Sequence, residues 1–470
     1  MSGFQSFLKN VGLLTLANFG TKMLSFLLVP LYTSVLTTSE YGTYDIALNT
    51  VGILIPFLTQ NVVDAVLRFS MDEGRRKGDV LGVGVRHLLL SLIPIIVILG
   101  ANRVLNISEP LNKMALFVAL LYISQASSGI ILYFARGLDR FREIAVSSVM
   151  CTAVTICLNI LLLAVFDFGL SGYFIANVAG PLAQSIYLVA NLKIGHVDPV
   201  HVDKSLEREM LEYSRPMIAN SVAWWINSVA DRYVVTWFCG IGANGVYSAA
   251  SKIPSILSVV QSIVGQAWTI SAVEEFDSED SKGFFSNMYA GYNCVMVIVC
   301  SLIISSNLIL ANLLYANEFY SAWQFAPFLT ISTVFGALAG YVGGILAAVR
   351  DTKEFARSSV VGALLNIAIN MLAVPIIGPL GAAVATLISY WAAWLIRMRT
   401  LKKYLKLRIN SVRDNLSYLI LVLQGALFFI LSDVFQLYFC ELLLMVVIAF
   451  MYQKEVRVSV RKLKSILVKE

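Results

Sequence analysis

Charge is what this chain has little of. Asp, Glu, Lys and Arg make up 14% of its 470 residues, against 58% hydrophobic ones. A water-soluble domain cannot cover itself with so little polar surface, so that class is excluded. Histidine is almost missing. Of the three, His196 and His201 share a polar loop without partner ligands, and no metal centre is expected there. The six cysteines, Cys151, Cys157, Cys239, Cys294, Cys300 and Cys440, form no CxxC pair and lie in apolar surroundings. That excludes a disulfide or zinc framework and leaves them as small packing residues. No GxxxxGK[ST] loop occurs, so no ATP is bound by that motif, and no cofactor is expected. No basic face with interleaved aromatics stands free of the apolar runs, so a nucleic-acid partner is excluded. The start, "MSGFQSFLKN", runs into apolar sequence without a small-residue cleavage site and reads as the approach to a first membrane helix.

What is present is a series of apolar runs of about 20 residues, the length a helix needs to cross the hydrocarbon core. Short segments of alternating polarity are absent, which excludes a transmembrane β-barrel. Fourteen spans are expected, near 11–36, 44–68, 84–106, 112–135, 145–166, 169–192, 216–238, 245–271, 285–314, 323–349, 356–377, 380–398, 415–433 and 435–452. With the N-terminus in the cytoplasm, only Arg103 and Lys113 among the 35 Lys and Arg fall on outer loops. This positive-inside bias places both termini in the cytoplasm. The basic tail "KEVRVSVRKLKSILVKE" suits topological anchoring and contact with anionic membrane lipids.

Three pairs of stretches recur in the same order. Asn18 and Lys22 are matched by Asn227 and Asp231. "GTYDIA" (42–47) is matched by "GVYSAA" (245–250), and "GLSGYFIA" (169–176) by "GPLGAAVA" (378–385). The offset stays near 200 residues, so a duplicated unit of six helices is expected. Six is even, which makes the repeat parallel, about an axis along the membrane normal. The expected fold is an all-α polytopic membrane protein of about fourteen helices. It divides into a six-helix bundle (1–194), an amphipathic cytoplasmic linker (195–215), a second six-helix bundle (216–405), and two extra helices with a basic tail (406–470). Within the linker, Leu206, Met210 and Tyr213 fall on one helical face.

Charges inside spans need a wet cavity or a partner, because each costs roughly 2.5–3.5 kcal/mol at the bilayer centre on insertion scales. Lys22, Arg68, Arg232 and Lys252 are the cations, and Asp64 and Asp231 the carboxylates. They fall on the first two helices of each half and are expected to line one net-positive cavity, suited to an anionic substrate. Bland readings stand beside this one. Asp64 and Arg68 are four apart and could pair, and Arg68 and Arg86 could snorkel to the interface. Trp224, Trp225 and Trp268 read as packing or interfacial anchors before they read as sugar platforms. Gly336, Gly340 and Gly344 suggest close helix packing. Pro30, Pro56 and Pro254 are expected to bend their helices.

"GTKMLSFLLVPLYTSVLTTSEYGTYDIA" and "DRYVVTWFCGIGANGVYSAASKI" resemble the first and seventh helices of Wzx-type polysaccharide flippases, with the starts of the helices that follow. These belong to the superfamily that also holds the MATE exporters and MurJ. The resemblance implies a multi-pass protein of the bacterial inner (cytoplasmic) membrane, moving undecaprenyl-diphosphate-linked oligosaccharide, as for O-antigen, lipopolysaccharide or capsule, to the outer leaflet. It implies membrane lipids, a polysaccharide polymerase and chain-length machinery as partners. By motif position Lys22, Arg68 and Lys252 resemble the cavity cations of MurJ-like proteins, two of them Lys where those carry Arg. No catalytic residue is expected. The rivals are a MATE-like drug or ion antiporter, which a net-positive cavity disfavours, and a membrane-embedded polymerase or ligase, for which the outer loops are too short.

Overall fold

The computed structural model of the chain describes residues 26–457, apart from 73, 193, 195, 196, 275, 276, 282 and 350. Among the described residues there are helices and no strand. They form two compact units, one ending at Val229 and the other beginning at Ala230.

The first unit contains α1 (Val29–Val35), α2 (Thr38–Leu58), α3 (Val62–Ser70), α4 (Lys77–Leu105), α5 (Ala115–Gly137), α6 (Phe141–Asn159) and α7 (Gly169–Asn191). Thr37 starts α2 with a capping box: its hydroxyl accepts from the Glu40 N–H at 3.2 Å, and its own N–H donates to Glu40 Oε2 at 2.9 Å. Pro56 lies in the last turn of α2, and the chain then turns by 62° into α3. The first unit's core joins Val62, Val66 and Phe69 of α3 to Val80 and Val83 of α4, Phe134 of α5 and Leu188 of α7. A single π-helical turn, Ile160–Val165, prolongs α6.

A long helix, α8 (Lys204–Cys239), runs from the first unit into the second. The part of the expected linker (195–215) from Lys204 onward is thus continuous with the helix that follows. Those residues are the first turns of α8, because no Pro or Gly interrupts the helix before Pro216, and helix-forming Glu, Arg, Met and Leu fill its first turns. Leu206 and Met210 are buried, while Tyr213 is exposed and meets Phe69 edge-on at 6.0 Å. Just before α8, Asp198 accepts from the backbone N–H groups of His201 (3.0 Å) and Val200 (2.8 Å) and from the His201 ring. These bonds hold its carboxyl down at about 2. His201 is thus part of a solvated turn, and His196 lies outside the described residues.

The second unit continues with α9 (Ile241–Ala250), α10 (Lys252–Glu274), α11 (Phe284–Ser305), α12 (Ala326–Ala348), α13 (Thr352–Ile377), α14 (Pro379–Leu401), α15 (Ser411–Ile430) and α16 (Val434–Met451). Every expected span from 44–68 onward falls on a helix or a helix pair. Residues 11–25 of the first lie outside the described residues. Among the described residues ten helices are long and apolar enough to cross a membrane, and the bent pair α2–α3 makes an eleventh if it counts as one span.

The internal repeat is visible in the packing. In the first unit α5 and α6 pack on α7, and α3 and α4 on α5. In the second, α12 and α13 pack on α14, and α10 and α11 on α12. These are corresponding helices in the same order. The two small-residue motifs coincide as well. Gly169 starts α7 with φ 51°, and Gly378 precedes α14 with φ 62°, positive φ values that glycine adopts without the Cβ penalty. Outside the repeat, α15 and α16 pack on α11 and on each other.

The apolar faces of α4, α6, α13 and α16 stay exposed, with Ile96, Val149, Leu372 and Phe439 among them. Lipid-facing helices require such faces. The glycine face of α12 is close-packed at two of its three positions: a side chain at Gly344 would meet Trp268 at 2.9 Å and one at Gly336 would meet Tyr390 at 3.5 Å, while nothing approaches Gly340.

Candidate functional site

The sequence-expected charges in the second unit sit where three helices meet. Asp231 and Arg232 are adjacent on α8, so their side chains diverge by about 100°. Both nevertheless reach α9, at neighbouring residues. The Tyr247 hydroxyl donates to Asp231 Oδ2 at 2.6 Å, and Arg232 Nη1 donates to Ser248 Oγ at 3.4 Å. Tyr247 and Ser248 are the central pair of "GVYSAA", so the repeat motif is also the surface on which the charged pair is seated.

Asp231 is 8% exposed. Its Oδ1 accepts the Arg232 backbone N–H at 2.9 Å, and Oδ2 also receives Thr386 Oγ1 of α14 at 3.4 Å. The chain of polar groups continues inward. Asn366 Nδ2 of α13 donates to Thr386 Oγ1 at 3.3 Å, and Asn370 donates to the Asn366 carbonyl at 2.8 Å. A buried carboxylate thus accepts from hydroxyls of α9 and α14, and an amide of α13 backs the second of these. Among the described residues no three His, Cys, Asp or Glu come together as a metal site.

Lys252 is the first residue of α10, at the break between α9 and α10, two residues ahead of Pro254. It is half-buried, and its ammonium makes no ion pair among the described residues. A lone cation at a helix break can meet an anion without first giving up a partner. Trp268, on the same helix, stacks on Tyr341 at 4.0 Å and donates to the Tyr341 carbonyl at 2.8 Å, so it is a packing residue.

In the first unit the possible Asp64–Arg68 pairing is corrected. Arg68 is exposed and pairs with Asp72 at 2.6 Å, while Asp64 accepts from Asn61 Nδ2 at 2.6 Å. The reason is the elbow between α2 and α3. Asn61 takes a left-handed conformation (φ 53°) that turns its amide toward Asp64 in the first turn of α3, while Arg68 stands in the last turn beside Asp72. Arg86 does not simply snorkel. It donates to Glu207 at 3.1 Å and to the carbonyls of Pro199 and Val200, tying α4 to the segment that leads into α8. Trp225 donates to the Asn49 carbonyl at 2.8 Å, a packing contact between α8 and α2. Lys22 and the Trp224 side chain lie outside the described residues.

Sequence reasoning missed several polar members. Asp45, in "GTYDIA", is 6% exposed inside α2, next to a nest of rings in which Tyr44 and Tyr32 lie 4.4 and 4.7 Å from Tyr173. Its counterpart in the second motif is Ser248, the residue that Arg232 reaches. An Asp within an apolar run was the available signal. Arg397 of α14 is 7% exposed and donates to Ser358 Oγ, Ser359 Oγ and the Ala339 carbonyl at 2.7–2.8 Å, with its guanidinium 4.3 Å from the Phe355 ring centroid. It pins α12, α13 and α14 together.

Comparison with solved structures places this architecture among known transporters. The chain is similar to lipid II flippase MurJ in an inward closed conformation, with a TM-score of 0.70, 13% identity, and coverage of 95% of this chain and 98% of that one. It is similar to an inward-facing multidrug resistance MATE family transporter of the MOP superfamily, with a TM-score of 0.63, 16% identity, and coverage of 81% and 96%. A MOP superfamily transporter from Pyrococcus furiosus aligns with a TM-score of 0.51, 12% identity, and coverage of 84% and 96%. At these identities the likeness is one of fold. No curated protein sequence matches the chain. Residues 7–273, more than half of the sequence, match the model of the polysaccharide biosynthesis protein family, and the chain belongs to that family.

Proposed function

We propose that the protein flips undecaprenyl-diphosphate-linked oligosaccharide from the inner to the outer leaflet of the bacterial cytoplasmic membrane by alternating access. Membership in the polysaccharide biosynthesis family and a fold shared with a lipid II flippase support this reading. The observation that carries it is the seating of Arg232 and Asp231 on adjacent residues of α9 within an apolar helix. Arg232 and Lys252 attract the diphosphate and any acidic sugars, and Lys22 and Arg68 are proposed as the anion-attracting cations of the first half. Asp231 and its hydroxyl and amide neighbours carry the coupling proton or sodium ion, and Asp64 orders the α2–α3 elbow. Outward movement of a doubly negative headgroup from a negative interior is also assisted by roughly 2.3 kcal/mol per charge per 100 mV. A polysaccharide polymerase and its chain-length machinery would receive the product on the outer face.

Surface glycan and membrane abundance, measured together in the producing cell, test the proposal. Arg232→Ala abolishes glycan export while the protein stays in the membrane. Arg232→Lys retains part of it, because a point charge keeps the attraction without the bidentate fork. Lys252→Arg is tolerated better than Lys252→Ala. Normal glycan and normal abundance in Arg232→Ala and Lys252→Ala alike would refute the cationic site.

A further inference from the structure

The second unit holds a cavity that the transport proposal does not use. It encloses about 530 Å³ where α11 and α15 begin and α16 ends. The positive-inside bias assigns that side to the cytoplasm. One wall is an incomplete ion cluster. Arg413 donates to Asp414 Oδ1 from Nε and from Nη2, at 3.0 Å each, and from Nη1 to Glu455 Oε1. The Tyr452 hydroxyl donates to Asp414 Oδ1 as well, at 3.1 Å, and the guanidinium lies 4.4 Å from the Tyr452 ring centroid. Each of these donors goes to one oxygen of its carboxylate. The other oxygens, Asp414 Oδ2 and Glu455 Oε2, are buried and have no hydrogen-bond partner among the described residues. Two carboxylates share one guanidinium, so among the described residues the cluster holds one more acid than base, with two buried carboxylate oxygens unfilled and both acidic side chains lining the cavity. Buried acceptors are rarely left in that condition.

The mouth of the cavity has the opposite sign. Arg408 and Lys454 line it and are exposed. α15, whose Arg413 and Asp414 line the cavity, also presents Val412 (80% exposed) and Leu416 (47%) one turn apart on another face. A negative inner wall, a positive rim and an apolar flank together define an amphiphile with an ammonium, a phosphate and acyl chains.

We infer that this cavity binds the phosphoethanolamine headgroup of a membrane lipid. Its ammonium donates toward Glu455, the more open of the two carboxylates, and offsets the excess charge shared with Asp414. Its phosphate lies between Arg408 and Lys454, and its acyl chains follow Val412 and Leu416 into the bilayer. A bare metal ion would leave most of the volume empty. A purely anionic headgroup would bring negative charge against the cluster. A trimethylammonium headgroup has no N–H to give.

Native mass spectrometry of the full-length protein, released from detergent and titrated with phosphatidylethanolamine, phosphatidylcholine or phosphatidylglycerol, tests this. The wild type should retain phosphatidylethanolamine with about tenfold preference over the other two, the size of one hydrogen bond to a charged group. Glu455→Gln should erase the preference without lowering the melting temperature of the lipid-free protein. Arg408→Ala combined with Lys454→Ala should weaken all three lipids together. Water-soluble glycerophosphoethanolamine failing to compete assigns the site to the lipid, and equal competition would assign the same chemistry to a free solute. Equal retention of the three lipids by the wild type, or an unchanged preference in Glu455→Gln, would overturn the inference.

Discussion

Asp231 is held within α8 by several donors, among them the Tyr247 hydroxyl at 2.6 Å and the Arg232 backbone N–H at 2.9 Å. Tyr247→Phe keeps the ring's packing and removes the shorter of these contacts. It should cost about 1.5–3 kcal/mol, the range for a hydrogen bond to a charged group, read as a lower melting temperature in detergent. Thr386→Val, which removes a contact of 3.4 Å, should cost less. A Tyr247→Phe protein as stable as the wild type would mean that the carboxylate is held by other groups. The two charges were legible in the sequence because they interrupt an apolar run, and their partners were not. Tyr247, Thr386 and Asn366 are common residue types in membrane helices and come from distant stretches, so nothing in the local pattern marked them. Asp45 differs: a carboxylate within the apolar run of its motif marks that position independently of the repeat.

At the scale of elements, helix positions followed from apolar length, while breaks and continuities depended on details that hydropathy does not carry. The end of α2 shows this. The N–H of Asn61 donates to the Pro56 carbonyl at 2.7 Å and that of Gln60 to the Phe57 carbonyl at 3.3 Å, a Schellman ending with Gln60 at φ 55°. Glycine usually fills that place, and its absence hid the turn. Pro56 gave the only hint. The elbow is clasped from α8, where Ser214 Oγ donates to the Gln60 carbonyl and Arg215 Nε to Gln60 Oε1, both at 2.8 Å. Gln60→Gly should therefore stabilise the protein by about 1 kcal/mol, because relief of the left-handed backbone outweighs one exposed side-chain contact. Gln60→Val should destabilise it by a similar amount, since a branched side chain resists positive φ. Melting curves of both variants decide the matter, and a destabilised Gln60→Gly would show that the Arg215 contact dominates. The same blindness to tertiary context explains α8: its first turns looked like a surface helix because polar residues surround Leu206 and Met210, yet both are buried and the helix runs on without a stop.

For the whole molecule, the duplication was the most legible feature: of three weak motif pairs at nearly one offset, the two within the described residues fall on corresponding helices whose contacts recur, and Gly169 and Gly378 both take positive φ. The halves differ where the chemistry is proposed. Ser248 in the second motif stands where the first has Asp45, and in the second half an Asp–Arg pair is seated on the motif. Duplication followed by such divergence gives two similar bundles unequal electrostatics. The identity of the cargo was carried in the sequence only by family likeness, because no motif encodes a sugar. The most direct measurement is transbilayer movement itself. Purified protein is reconstituted into liposomes carrying a polyprenyl-diphosphate oligosaccharide in both leaflets, and the fraction reached by an added, membrane-impermeant glycosidase is followed in time. The wild type should expose the inner pool well beyond the half available in protein-free liposomes. Arg232→Ala should hold it at that half despite equal protein incorporation, and Arg232→Lys should fall between. Equal exposure by the wild type and Arg232→Ala, or none above protein-free liposomes by the wild type, would contradict the account.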